Sequence, residues 1–354
     1  MQKGLFLMRR VLATLALAPF VLAAVVSTQA PPRIQVVKHA VAPRVDVTID
    51  GKPFTSYVFE RSQKKPFLFP LRTANGTVVT RGYPIEPRPF ERTDHPHHIG
   101  LWFNYGDVNG LDFWNNSDAI PAARAAKMGT IVHKRVVEVT SGKDKGELHV
   151  EMDWVDSNGA VLLNENTRYI FSGDDKSRVI DRITRLTAMK DTVVLGDNKE
   201  GLLGMRVARE LEHPSKTPQV YTDAAGKETK VRVLNNEGVV GNYVGSDGKT
   251  GEAVWSTRGP WMMLGGKIAS EPVTLAILDH PSNPGFPTIW HARGYGLFAA
   301  NNLGQKAFHP DQPERKLTLE PSQSVTFRHR VLILSGTADA AAMKAAHKKF
   351  ASEK

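Results

Sequence analysis

The 354-residue chain contains no cysteine, so disulfides and an anchor through a lipidated cysteine are both excluded. About 320 residues beyond the N-terminal segment must therefore hold together by ordinary core burial, which a chain of that length can supply. The sequence also lacks a Gly-x-Ser-x-Gly elbow, a phosphate-cradling GxxxxGK[ST], a GxGxxG after a strand and an HExxH pair. Serine-hydrolase, nucleotide and thermolysin-like chemistry lose their usual signatures. Despite a formal charge of +10, no run of five or more like charges occurs. The basic residues Lys64-Lys65, Arg81, Arg88, Arg92, Lys134-Arg135 and Lys348-Lys349 are dispersed, which reads as a basic soluble surface rather than a nucleic-acid footprint.

The one long apolar run is at the start. Lys3, Arg9 and Arg10 precede the stretch Val11 to Val26, and small polar residues follow. That order is the layout of a secretory signal peptide, and the run falls short of the ~20 residues a membrane span needs. We expect a signal peptide over residues 1–30, a single domain over 31–354, and export to the periplasm or the extracellular space. No membrane contact is expected beyond the signal.

What remains reads as strands. In "RVDVTIDGKPFTSYVF", Asp50-Gly51 sits between two alternating runs, and an Asp-Gly pair accepts the positive φ angles of a tight hairpin turn. "GELHVEMDW" alternates cleanly and turns through "SNGA" into "VLLNENTRYIF". Val179 to Met189 and Thr192 to Leu195 read as a further pair turning near Lys190-Asp191. Strand signals follow at Gly201 to Arg209, Glu252 to Trp255, Pro260 to Leu264, Val273 to Asp279, Gly296 to Ala300 and Ser324 to Leu334. Helical periodicity is clear only in "ADAAAMKAAHKKFASEK", with Asp339 able to cap it. Strands without βα alternation predict an all-β fold, a large antiparallel β-sandwich with a short C-terminal helix. Pro84 to Pro96 reads as a long loop, because each proline removes a ladder donor.

That loop leads into "ERTDHPHHIGLWFNYGDVNGLDFW", where His95, His97 and His98, three of the twelve histidines, stand behind Asp94. Three readings compete. The His-x-His spacing can chelate a metal ion; the imidazoles can act as acid and base, with Asp94 orienting one ring; or the loop is purely structural. In an extended chain His95 and His97 would share a face and His98 would take the other, although Pro96 weakens that parity. Trp102 and Trp114 favour a pocket, since indole faces suit sugar rings, with Trp102 the more natural core residue.

Two other segments are polar in the right way. "DNKEGLLGMRVARE" sets Glu200 where a strand begins, either as a carboxylate at a sheet rim or in a surface ion pair with Arg206. "ILDHPSNPGFPTIWHARGYGLFAANNLG" offers Asp279, His280, Asn283, His291, Arg293, Tyr295 and Asn301. On a strand, His291 and Arg293 share a face opposite Trp290 and Ala292. The expected acid–base residues are His95, His97, His98, Glu200 and His291. Asp94, Trp114, Arg206, His280, Arg293 and Asn301 are expected to hold the substrate, Trp114 by stacking on its ring and Arg293 by binding an anionic or hydroxyl-rich group. No cofactor is implied, with a divalent metal ion in the histidine loop as the alternative.

"DHPHHIGLWF" with "DVNGLDFW", "KEGLLGMRVA" and "DHPSNPGFPTIWHARGYGLFAANNLG" resemble the PmoA-like family of exported bacterial proteins, from about Thr80 to Leu334. The resemblance implies a sandwich of the galactose-mutarotase type but supplies no catalytic set. The family's methane-oxygenase label does not suit this sequence. A particulate methane oxygenase subunit needs membrane spans of ~20 apolar residues, and none follows the first thirty. The sequence points instead to a secreted carbohydrate-active protein: a hydrolase, lyase or epimerase, or alternatively a non-catalytic carbohydrate-binding sandwich or a metal-binding protein.

Overall fold

The computed structural model describes Met1 and residues 32–353; the expected signal peptide lies outside the described residues. Pro32–Lys354 forms one unit. Two eight-stranded antiparallel sheets carry it. From edge to edge, the first runs Ile34–Lys38, Arg44–Ile49, Lys52–Val58, Phe67–Phe69, Leu101–Tyr105, Gly201–Arg206, Leu297–Asn301 and Ile289–Arg293. The second runs Asn242–Gly245, Trp261–Ile268, Glu271–Asp279, Ser324–Ser335, Ser177–Ala188, Val161–Gly173, Gly146–Val155 and Thr130–Thr140.

Alternation decides which way each strand faces. In Gly146–Val155 the residues Leu148, Val150, Met152 and Trp154 are buried, while Glu147, Glu151 and Asp153 between them stay partly exposed. This sheet has one dry face and one wet face, as antiparallel sheets commonly do. The dry faces of both sheets meet in one core. Tyr57 packs against Tyr169, Phe54 against Phe171, and Phe103 against both Trp154 and Phe327. A buried ion pair of the second sheet lies in this core: Arg182 Nη2 is 2.5 Å from Glu165 Oε1, and its guanidinium reaches across to cover the Phe103 ring of the first sheet at 4.6 Å.

The central strands of the first sheet depart from this pattern. Leu101–Tyr105, Gly201–Arg206 and Leu297–Asn301 are buried at every position. Leu101, Phe103, Met205, Phe298 and Ala300 face the inter-sheet core, and Trp102, Leu297 and Ala299 belong to a separate cluster on the other face. A layer of loops covers that second face, and most of the candidate site residues lie there.

Two sequence expectations are corrected. Val193–Leu195 does not pair with Ser177–Ala188; it pairs with Leu317–Leu319, while Ser177–Ala188 is held on both sides by longer partners. Glu252 to Trp255 is not a strand: Gly251–Val254 forms a 3-10 turn, which aims Trp255 outward. The C-terminal helix, Ala340–Ala351, begins as expected at Asp339, whose carboxylate accepts from the Ala342 amide at 2.8 Å. It buries Met343 and Phe350 against Trp261 and Leu278.

Candidate active site

The floor is built by cross-strand registry. On the outer face of the first sheet, Trp102, Gly204, Ala299 and His291 stand side by side on four neighbouring strands. The two small residues in the middle open a trough between the indole and the imidazole, and Trp114 lies over it. A Cβ at Gly204 would come within 2.5 Å of Trp102 Cζ2 and 2.9 Å of Trp114 Cη2, so this row accepts no larger residue without movement. The next row along the same face is Arg206, Leu297 and Arg293.

The histidine loop is folded onto this floor by a single buried guanidinium. Arg81, 1% exposed, donates to the carbonyls of Arg92, Asp94, His95 and His98 and to Asp94 Oδ1, at 2.7 to 3.1 Å. Such a hub closes the loop into a coil, and His95 takes a left-handed φ of 46° to complete it. The strand parity expected for the three imidazoles is lost as a result. His95 and His98 stack at 4.8 Å with an interplanar angle of 2°, and His97 meets both edge-on. Lys65 holds the loop from the other side, its ammonium donating to the His97 carbonyl at 2.8 Å. Burial lowers the Lys65 pKa to about 7, against the pull of Asp112.

Asp94 and Arg206 tie the loop to the sheet. Arg206 is fully buried, and its Nη2 lies 2.6 Å from Asp94 Oδ1. Burial pushes the Asp94 carboxyl upward, but Arg206, the hydrogen bond from His95 and Arg81 together hold it well below the usual carboxylate range. Glu212 completes a chain of charge behind the site, pairing with Arg92 at 2.6 Å.

Around the floor is a cleft of about 460 Å³. It is lined by the three histidines, Trp114, Asn115, Lys199, Glu200, Trp255, His291, Arg293 and Tyr295. Three of its imidazoles lose proton affinity, chiefly through burial. His97 falls to about 2 with Lys65 adding to the effect, His291 falls to about 3 with help from Lys199, and His98 lies well below its ordinary value beside His97. Neutral rings have a fixed tautomer when one nitrogen is committed. His98 Nδ1 faces the Arg206 guanidinium at 3.5 Å, a group that can only donate, so the His98 proton sits on Nε2. His291 Nδ1 lies 2.9 Å from the Lys199 carbonyl, which can only accept, so its proton sits on Nδ1 and Nε2 keeps its lone pair. The Glu200 carboxylate lies 3.7 Å from that same Nδ1.

A family model, described as a family of unknown function (DUF6807), matches residues 44–348. The chain belongs to DUF6807. Among solved structures, this DUF6807 chain is similar to the α-galactosidase from Lactobacillus brevis at 9% identity and a TM-score of 0.37, over 86% of this chain and 40% of that one. It is similar to the galactosidase domain of the α-galactosidase-sucrose kinase AgaSK at 8% identity and a TM-score of 0.39, over 85% and 42%. A β-arabinopyranosidase matches at 10% identity and a TM-score of 0.29, over 85% and 38%. The chain thus spans about two fifths of the galactosidase chains it matches, and a likeness at these scores carries nothing about reaction or substrate. No curated protein sequence matches it.

Of the residues expected from the DUF6807 sequence, His95, His97, His98, Trp114, Glu200, His291 and Arg293 line this one cleft. Asp94 and Arg206 stand behind it as an ion pair. Glu200 is not a partner of Arg206; its carboxylate pairs with Lys199, because Arg206 lies deeper in the sheet and is committed to Asp94. Asn301 is a support for the Glu200 turn: its amide donates to the Asn198 carbonyl at 2.9 Å, and its oxygen accepts from Leu303 and Gly304. His280 does not line the cleft. Its ring is engaged by Ser282 Oγ at 2.7 Å and the Glu353 carbonyl at 3.1 Å, next to Asp279, whose carboxylate accepts from Asn283, Asn302 and Thr288. Trp114 is 1% exposed and packs at 5.1 Å against Trp102, so little of its face is left for a sugar; the half-buried Trp255 is the more open indole.

Lys65, Arg81 and Arg92 form no part of the basic surface read from the sequence; all three are buried. Asn115, Lys199, Trp255 and Tyr295 are additional cleft residues. Only Tyr295 had a signal in the sequence, through its place in the polar segment after His291. Among the described residues, no three His, Asp or Glu side chains are arranged to hold a metal ion, since the loop imidazoles turn their planes toward one another.

Proposed function

We propose that the cleft binds a sugar ring and moves a proton at it. The observation that carries this is the opposed pair of neutral imidazoles, His98 with an Nε2–H to give and His291 with an Nε2 lone pair to receive. In that role His291 Nε2 takes a proton from the sugar and returns it to the product, while the His98 Nε2–H donates a hydrogen bond to the sugar oxygen on which charge develops. Glu200, 3.7 Å from His291 Nδ1, stabilises the imidazolium that forms during transfer. His97 Nε2 and His98 Nε2 are buried without a protein partner, so pairing with a ligand oxygen would satisfy groups costly to leave unpaired, and it requires a small shift of the loop to reach them.

Within the hydrolase, lyase and epimerase classes, the arrangement favours the last two. Hydrolysis of a glycoside ordinarily uses two carboxyl groups across the bond, and Glu200 is the one carboxylate lining the cleft among the described residues. Methane oxidation has no place in the proposal; no helix among the described residues is long and apolar enough to cross a membrane.

The test is a panel of free sugars, glycosides and oligosaccharides incubated with purified protein and followed by mass spectrometry. Turnover should appear on some member and fall by about 10²-fold or more in H98N and H291N. Folded variants that keep full turnover remove the assigned pair, and saturable binding without any product makes the protein a non-catalytic binder. Export belongs to the same proposal. It predicts a mature N-terminus near residue 31 in the periplasmic or extracellular fraction, read by mass spectrometry.

A further inference from the structure

Beside the histidine cleft lies a second cavity of about 420 Å³ that the reaction above does not use. The two share one wall, made by Trp255, Arg293 and Tyr295. The far side of the second cavity is closed by Arg92, Glu252 and the His213 to Lys216 segment. Each volume falls in the range of small-ligand sites, so together they make a groove of two adjoining compartments.

Along this groove and just behind it, every charged side chain but one has an ion-pair partner. Glu200 is paired with Lys199, Glu252 with Lys216 at 2.8 Å, Glu212 with Arg92 at 2.6 Å, and Asp94 with Arg81 and Arg206. Arg293 has neither an ion pair nor a side-chain hydrogen bond among the described residues; its contacts are with the Trp255 ring at 4.5 Å and the Tyr295 ring at 5.9 Å. Stacking of this kind fixes the plane of a guanidinium while leaving its N–H edge open, which prepares it for two-point binding of a planar or tetrahedral oxyanion. The residue stands at the end of strand Ile289–Arg293, two positions from His291 and on the same face. It therefore reaches the compartment beside the reacting one.

We propose that Arg293 recognises an acidic sugar unit. The ring that reacts sits in the histidine cleft, and a neighbouring unit sets a carboxylate or a sulfate ester against the guanidinium. This rests on the carbohydrate reading above and names its substrate class: an anionic glycan of at least two units. A neutral glycan would leave Arg293, the groove cation without an ion pair among the described residues, still without a partner.

The experiment uses short oligomers of galacturonate, glucuronate-containing and sulfated glycans, each beside its carboxyl-reduced or desulfated counterpart. Binding to the full chain is followed by calorimetry. At least one acidic oligomer should bind about tenfold or more tighter than its neutralised counterpart. The counterpart that loses affinity, reduced or desulfated, identifies the anion. Arg293→Gln should abolish that difference and Arg293→Lys should keep part of it, with unchanged melting temperatures because the side chain is exposed. Equal binding of acidic and neutralised oligomers, or a preference that survives R293Q, overturns the proposal while leaving the sugar-binding reading intact. Failure of every glycan, neutral or acidic, to bind overturns both.

Discussion

His98 and His291 are anchored through the same atom, Nδ1, to partners of opposite kind: the first faces the Arg206 guanidinium at 3.5 Å, the second the Lys199 carbonyl at 2.9 Å. One ring is thereby left with a donor at Nε2 and the other with an acceptor. Nitrogen-detected NMR of labelled protein should find the proton on Nε2 in His98 and on Nδ1 in His291 at neutral pH. The reverse tautomer in either ring removes the acid–base assignment. The pattern also predicts how amide mimics behave. H98Q, which places an N–H near the lost Nε2, should retain more activity than H98N, which does not.

Arg206 should be among the least replaceable residues of the site. R206M leaves Asp94 to Arg81 and His95, and losing a hydrogen bond between charged groups of this kind costs about 1.5–3 kcal/mol. In a urea-unfolding series, R206M combined with D94N should lose less than the two single changes summed, because they remove one interaction. Additive losses would mean that the pair is not coupled.

Gly204 is a packing requirement. In G204A the new methyl would meet Trp102 and Trp114, and overpacking of this kind costs about 1–3 kcal/mol. Activity should fall further than stability does, since both indoles contact His98. A variant with normal stability and normal turnover would show that the trough tolerates filling.

Acidification should weaken the fold from about pH 6.5 downward. His97, His291 and His329 are depressed by burial to about 2, 3 and 3, so between those values and 6.5 the unfolded chain binds protons that the folded chain refuses. Their stabilisation is present above pH 6.5 and is lost as pH falls, each contributing a slope of about 1.4 kcal/mol per pH unit. Glu212 and Asp279, raised by burial to about 7 and about 6, act in the opposite sense, but His98 and His133 add to the histidine side. Urea midpoints should therefore drop between pH 7 and pH 5. A flat or rising series would mean that the buried rings are protonated in the folded state.

The parts of the fold that could be read from the sequence were those governed by local rules. The Asp50-Gly51 hairpin, the alternating strand Gly146–Val155 and the Asp339 cap each follow from a few adjacent residues. The shared face of His291 and Arg293 also follows from strand parity alone. Parity failed at His95 because a left-handed residue resets it, and the cause is Arg81, whose five hydrogen bonds depend on tertiary position. An arginine that organises a loop looks in sequence like any surface cation, which is why Arg81 and Lys65 read as part of the basic surface. The row Trp102, Gly204, Ala299 and His291 is a matter of register between distant strands, and composition carries no trace of it.

Of the six tryptophans, Trp114 and Trp255 line one cleft, and Trp102 lies beneath it, flat against His98 at 5.2 Å. Indole emission is sensitive to the charge and polarity of what touches it. The protein therefore carries a built-in optical gauge of its own occupancy, one that works before a substrate is known and without any label.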